Sequence, residues 1–137
     1  MRIYFAGSIR GGRDDADLYL KIIEHLKGFG DVLTEHVGDN ALTASGESVM
    51  DDISIHDRDM DWLLNSDVMV AEVTNPSVGV GYEIAMALNL NKKVICFAGI
   101  GNPINFFKGY NSALNKTIQE IDYKKVEKIY KILNSTI

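Results

Sequence analysis

Two carboxylates in this 137-residue chain stand where they could do chemistry together. Glu83 follows Gly79-Val80-Gly81, directly after an apolar, strand-like run. In the first turn of a helix opened by those glycines, the positive end of the helix dipole would favour its ionised form, and an ionised carboxylate is a nucleophile. Asp59 has Ile55 four residues before it, Leu63 four after and Trp62 three after, so on a helix it falls within the apolar arc while Asp57 and Asp61 face solvent. Partial desolvation there would raise its pKa and suit it to donate a proton. Both residues also have a structural reading. Acidic residues favour first turns, and Asp59 could be a buried cap or an ion pair with an arginine of the 7–13 loop.

Around this pair the sequence offers groups for an anion. Gly7-Ser8-Ile9-Arg10-Gly11-Gly12-Arg13 lies between a strand-like run and an amphipathic stretch. Ser8, Arg10 and Arg13, together with Ser77 and Gly79, supply hydroxyls, guanidinium forks and backbone N–H groups matched to a phosphate dianion. Two loop arginines are by themselves equally consistent with a solvated surface. Tyr4 reads as a core tyrosine whose hydroxyl could orient a carboxylate, and His36 as a hydrogen-bonded pocket wall.

Other chemistries lack their residues. The 7–13 loop has no Gly-Lys-Ser/Thr ending, so it is not a Walker A loop, and Ile84 stands where a dinucleotide fingerprint wants its third glycine. His25, His36 and His56 are scattered without ligand spacing, which argues against zinc. No Gly-x-Ser-x-Gly elbow is present. The expectation is a site with no metal and no cofactor.

The elements that must position these residues follow from periodicity. Strands are expected at 3–6, 31–37, 67–73, 94–98 and 117–121. Helices are expected after Asp14 or Asp15, at 52–65, 82–90 and 123–133, with 99–116 open to either a loop or a short helix. Strand–helix alternation implies right-handed βαβ crossovers. The expected fold is therefore α/β: one Rossmann-like, flavodoxin-like domain over residues 1–137, with a parallel five-stranded sheet flanked by helices. Ligands of such sheets bind beyond the carboxyl ends of the strands, which directs attention to the loops 7–13, 36–50 and 74–81.

Composition narrows the partners. Lys and Arg number 14 against 19 Asp and Glu, a net charge of −5 that argues against a nucleic-acid polymer as partner. Cys96, the single cysteine, sits in an apolar run and reads as a small core hydrophobe in a reduced, cytoplasmic setting. The opening residues lack a signal-peptide layout, and no apolar stretch approaches membrane-spanning length.

The blocks Ile3 to Arg13, Val32-Leu33-Thr34-Glu35-His36-Val37, His56 through Trp62-Leu63, and above all Ala71-Glu72-Val73-Thr74-Asn75-Pro76-Ser77-Val78-Gly79-Val80-Gly81-Tyr82-Glu83 resemble the 2′-deoxynucleoside 5′-phosphate N-hydrolases of the nucleoside 2-deoxyribosyltransferase superfamily. The resemblance runs in order from residue 3 to about 97 and fades beyond. It implies a cofactor-free homodimer that hydrolyses the N-glycosidic bond of deoxynucleoside monophosphates. In that reading Glu83 is the nucleophile, Asp59 protonates the leaving base, and Tyr4 orients the nucleophile. The loop Gly7, Ser8, Ile9, Arg10, Gly11, Gly12 and Arg13, with His36, Ser77 and Gly79, holds sugar and phosphate. In the family a serine-containing segment of the second subunit also touches the phosphate; its counterpart lies around Ile104, Asn105 and Phe106, where no serine aligns. The competing readings are a deoxyribosyltransferase using the same ester, a ribonucleotide (CMP-type) N-glycosidase and a non-catalytic nucleotide sensor.

Overall fold

Short β-prone runs alternate with amphipathic stretches along the chain, and the backbone follows that alternation. The computed structural model describes residues 1–8, 16–34, 37, 50–99, 118–121 and 126–137. In chain order these form β1 (Arg2–Ala6), α1 (Ala16–Leu26), β2 (Asp31–Val32), α2 (Asp52–Leu64), β3 (Val68–Glu72), α3 (Val78–Asn89), β4 (Lys93–Gly99), β5 (Ile118–Ile121) and α4 (Val126–Thr136). The strands pair in parallel in the order β2-β1-β3-β4-β5, a five-stranded sheet. This is the flavodoxin-like order, and the expected fold class holds.

Each strand divides its side chains between two helical layers. Ile3, Phe5, Val68, Val70, Ile95 and Phe97 pack with Tyr19, Ile22, Ile23 and Leu26 of α1 and with Ile129 and Leu133 of α4. The alternate residues Tyr4, Ala6, Met69, Ala71, Val94, Cys96 and Ala98 pack with Leu63 of α2 and with Val80, Ile84 and Ala87 of α3. The two faces differ in bulk at the carboxyl ends of the strands. Toward α1 and α4 the central strands end in Phe5, Val70 and Phe97, a filled layer; toward α2 and α3 they end in Ala6, Ala71 and Ala98. Ala6 and Ala71 are direct register partners. Small side chains there let α2 and α3 pack close to the sheet beside Tyr4. Cys96 is a core residue as expected, and burial pushes its thiol up to about 12.

Two elements depart from the sequence reading. β2 was expected over 31–37 but pairs with β1 only through Arg2↔Asp31 and Ile3↔Val32. The reason lies in Thr34. Beyond Val32 the chain turns, Leu33 N–H still reaches Ile3 C=O at 2.9 Å, and then a side chain replaces the ladder. The Phe5 N–H donates to Thr34 Oγ1 at 2.8 Å, and the Thr34 hydroxyl donates to Phe5 C=O at 2.6 Å. One hydroxyl thus satisfies both backbone groups of a buried residue. The second departure is α3, which begins at Val78 and not at Tyr82; Ser77 is its N-cap and accepts Val80 N–H at 3.3 Å. The remaining boundaries differ by a few residues, and the reading of 99–116, like the Asp14/Asp15 cap, lies outside the described residues.

The start of the first loop is fixed by contact with α1. A Cβ on Gly7 would lie 2.7 Å from a ring carbon of Tyr19, so only glycine fits against that buried ring. The Tyr19 hydroxyl in turn accepts the Ser8 N–H at 3.0 Å.

Thr34→Val should lower the unfolding free energy by about 2 kcal/mol, because Phe5 loses partners for two buried backbone groups. Thr34→Ser should stay within about 0.5–1 kcal/mol of the parent, since the hydroxyl that satisfies both groups is kept. Urea denaturation of both variants checks this; a loss confined to Thr34→Ser, which keeps the hydroxyl, would mean that the threonine methyl does the stabilising.

Candidate active site

The strand order reverses between β1 and β3, and in such sheets it is beyond the carboxyl ends of the strands at this point that ligands bind. Tyr4 on β1, Asp59 on α2 and Glu83 on α3 converge there, on the sheet face that carries α2 and α3. Tyr4 is 1% exposed and its hydroxyl hydrogen-bonds the Glu83 carboxyl. Burial, then the negative charges of Glu83 and Asp59, drives the phenol far above its ordinary range. Tyr4 is therefore always a donor. Glu83 is pushed up to about 7: burial is the main cause, the Asp59 charge adds to it, and the Tyr4 hydrogen bond opposes it.

The sequence reading of Glu83 needs correction in two respects. It lies not in the first turn of α3 but in the second, six residues past the Ser77 cap. And the environment raises its pKa, so burial outweighs whatever help the helix dipole gives. The position still serves the site, because helical side chains lean toward the N-terminus and cover the turn before their own Cα. Glu83 thus leans over Gly79, its i−4 neighbour. A Cβ on Gly79 would meet only Ser77 Oγ, at 3.8 Å, so that surface is open to a ligand.

Asp59 has a partner that its spacing did not suggest: among the described residues the adjacent Arg58 pairs with it, while the arginines of the 7–13 loop lie outside those residues. Nε and Nη2 of Arg58 both donate to Asp59 Oδ1, at 3.0 and 2.8 Å. The Arg58 guanidinium lies 4.6 Å from the centroid of the Trp62 ring, and its Nη1 is 3.3 Å from Met50 Sδ. Leu63 is buried beneath α2 as its spacing implied. Arg58 was missed because adjacent residues on a helix do not face each other; only the i, i+4 spacing of Arg58 and Trp62 hinted at where the side chain would lie.

Of the anion-binding candidates, Ser77 caps α3 and Gly79 is exposed in its first turn. The cap uses the N–H groups of Val80 and Gly81, the latter donating to Ser77 C=O at 3.1 Å. A helix N-terminus of this kind favours an anion. Ser8 is buried at the end of β1. Ile9, Arg10, Gly11, Gly12, Arg13, His36, Ile104, Asn105 and Phe106 lie outside the described residues.

Two further pairs frame the site. His56 Nε2 lies 3.0 Å from Tyr82 Oη, linking α2 to α3 beside Glu83. Glu72, buried at the end of β3, accepts the Thr74 N–H at 3.0 Å and the Thr74 hydroxyl, which fixes how the β3–α3 loop departs. Among the described residues no three His, Cys, Asp or Glu side chains cluster as a metal ion requires, and no helix is long and apolar enough to cross a membrane.

Comparison with known proteins places this geometry in a family. The family model described as nucleoside 2-deoxyribosyltransferase matches residues 3–125. A 5-hydroxymethyl-dUMP N-hydrolase of Tetraodon nigroviridis is 59% identical over 97 residues, covering 70% of this chain and 68% of the relative. One of Esox lucius, with the same name, is 44% identical over 130 residues, covering 93% of this chain and 90% of the relative. Among solved structures, a CMP N-glycosidase of Clostridium botulinum superposes with a TM-score of 0.58 at 20% identity over the whole of both chains, a likeness of fold. The chain belongs to the nucleoside 2-deoxyribosyltransferase family.

Proposed function

We propose that this chain hydrolyses the N-glycosidic bond of 2′-deoxynucleoside 5′-monophosphates to 2-deoxyribose 5-phosphate and free base. The convergence of Glu83, Asp59 and Tyr4 at one site carries the reading. Sequence relatives named as N-hydrolases of a deoxynucleotide support it.

Cleavage of a glycosidic bond passes through an oxocarbenium-like state, and two carboxyl groups can divide the work. Glu83 attacks the anomeric carbon, the bond to the base breaks with its electron pair going to the base nitrogen, and Asp59 supplies the proton that neutralises it. Water then hydrolyses the deoxyribosyl ester, giving its proton back to Asp59. Tyr4 donates to Glu83 throughout, which holds the carboxylate in place and steadies its charge. The phosphate binds at the N-terminus of α3, near Ser77 and Gly79, with the Arg10 and Arg13 guanidiniums as candidate counter-charges. Glu83 is six residues into that helix, roughly 9 Å along the axis, and leans back toward its start, a span that suits a sugar phosphate. The same reading makes the enzyme a cytoplasmic homodimer, which sedimentation or light scattering would check.

Glu83→Gln should reduce base release by at least about a thousandfold, read by chromatography of the free base. In the parent enzyme, kcat/KM should fall about tenfold per pH unit below about 7, because a protonated Glu83 does not attack. The stability effect has the opposite sense. A carboxyl raised from 4.5 to about 7 binds more protons folded than unfolded between those values, so stability falls as pH rises through that window. Glu83→Gln should accordingly melt several degrees above the parent at pH 8, with the gap closing toward pH 5. A variant that loses activity and stability together at pH 8 would make Glu83 a structural group.

The phosphate can be tested separately. Deoxynucleoside 5′-monophosphates should exceed the corresponding deoxynucleosides in kcat/KM by about a hundredfold or more, since binding energy from the phosphate orients the anomeric carbon. Arg10→Ala should narrow that gap. Equal turnover of both forms, with a free base stimulating product formation, would instead indicate transfer to a second base.

A further inference from the structure

Arg58 has no part in the mechanism just described, yet it is the positive charge nearest its acid among the described residues. Adjacent residues on a helix diverge, so a bond between their side chains requires the longer one to fold back. Arg58 does so under three restraints: two N–H donors on one Asp59 oxygen, the Trp62 ring beneath the guanidinium, and Met50 Sδ against Nη1. The pair is largely withdrawn from water, with side-chain exposures of 22% and 17%. That separates it from a mobile surface ion pair, which contributes little.

We propose that Arg58 is a positioning residue for Asp59: anchored on Trp62, its guanidinium fixes the direction of the carboxyl and sets the pH range over which it holds the proton that the leaving base needs. The proposal rests on the hydrolase reading for the role of Asp59, whereas the ion pair itself does not depend on that reading. The groups that face Asp59 among the described residues are Tyr4 from β1, Glu83 from α3 and Arg58 beside it on α2. His56 and Asp57, also on α2, bond to each other, with His56 reaching Tyr82. Two carboxyls close together cannot both remain charged without a counter-ion. Arg58 is the positive charge beside Asp59 on α2, so it offsets part of that repulsion and bears on the pH at which Asp59 gives up its proton.

This arrangement has two opposed effects on the reaction. A fixed positive charge favours the anionic form of Asp59, so fewer molecules hold the acid at alkaline pH. The same fork sets the direction of the carboxyl, which raises the rate for those that do. Removing the charge should therefore widen the active pH range while lowering the plateau. A residue that merely packs on Trp62 produces neither shift.

The experiment follows the Asp59 carboxyl by 13C NMR across a pH titration, its resonance identified by its loss in Asp59→Asn. In Arg58→Met the titration midpoint should rise by about one pH unit or more. The alkaline limb of kcat/KM should move the same way, with a plateau at least several-fold below the parent. Arg58→Lys, which keeps the charge and loses the fork, should keep the midpoint near the parent value while sharing the lower plateau. Should Arg58→Met not fold, Arg58→Gln takes its place. An unmoved midpoint in a folded variant would overturn the proposal, as would a moved midpoint with an unmoved alkaline limb. The NMR readout needs no turnover, so a parent protein that releases no base would remove the hydrolase reading while leaving the ion pair separately measurable.

Discussion

The burial of the Glu83 carboxyl beside Asp59 is the constraint around which the rest of this site is arranged. Taking one carboxylate out of water is costly, and placing a second nearby makes it more so. Two partners limit the damage, from different directions. Tyr4 donates from the sheet to Glu83, and Arg58 pairs with Asp59 from within α2. Neither cancels the effect, which is why Glu83 remains raised to about 7. A group with that property sits near the midpoint of its titration at neutral pH, where a small change in its surroundings moves it between its protonated and ionised forms.

The fold supplies the conditions for this balance. Tyr4 is immobilised on a strand flanked by β2 and β3, so its hydroxyl is held by the most rigid part of the molecule. Right-handed crossovers place α2 and α3 on one face, and those two helices bring Asp59 and Glu83 over the same strand end. On that face the strands end in the small, buried Ala6, Ala71 and Ala98, while Phe5 and Phe97 fill the opposite face. Alternation along a strand thus separates a bulky layer from a slender one, and Tyr4, Asp59 and Glu83 lie on the slender side.

Much of this was legible because it depends on periodicity. The continuous apolar run at 68–71 marked a central strand, and the strand–helix alternation fixed a parallel sheet whose carboxyl edge carries the site. Tyr4, Asp59 and Glu83 could be singled out by their positions on those elements. Where periodicity was overridden, the reading failed. Gly79 and Gly81 are poor helix formers and hid the first turn of α3, although Ser77 is a strong N-cap type and was the signal for it. Thr34 replaced a ladder of backbone bonds by a side chain, so β2 stops early despite β-prone residues beyond it. Arg58 depends on a side-chain conformation, which residue spacing does not encode.

Two glutamates near the carboxyl ends of the strands, Glu72 buried and Glu83 half-buried, are held in different ways. Glu72 accepts both the N–H and the hydroxyl of Thr74, two residues along its own chain, and so ties down the turn that leads to Ser77. Its bonds are local, and they form as soon as the loop does. Glu83 receives its hydrogen bond from Tyr4, distant in sequence, and only once β1 and α3 have packed together. The first carboxylate is held by the segment that it shapes. The second is held by the completed fold, in a place that keeps its charge expensive and its surroundings open over Gly79. Its charge therefore depends on long-range packing, whereas that of Glu72 depends on the local turn.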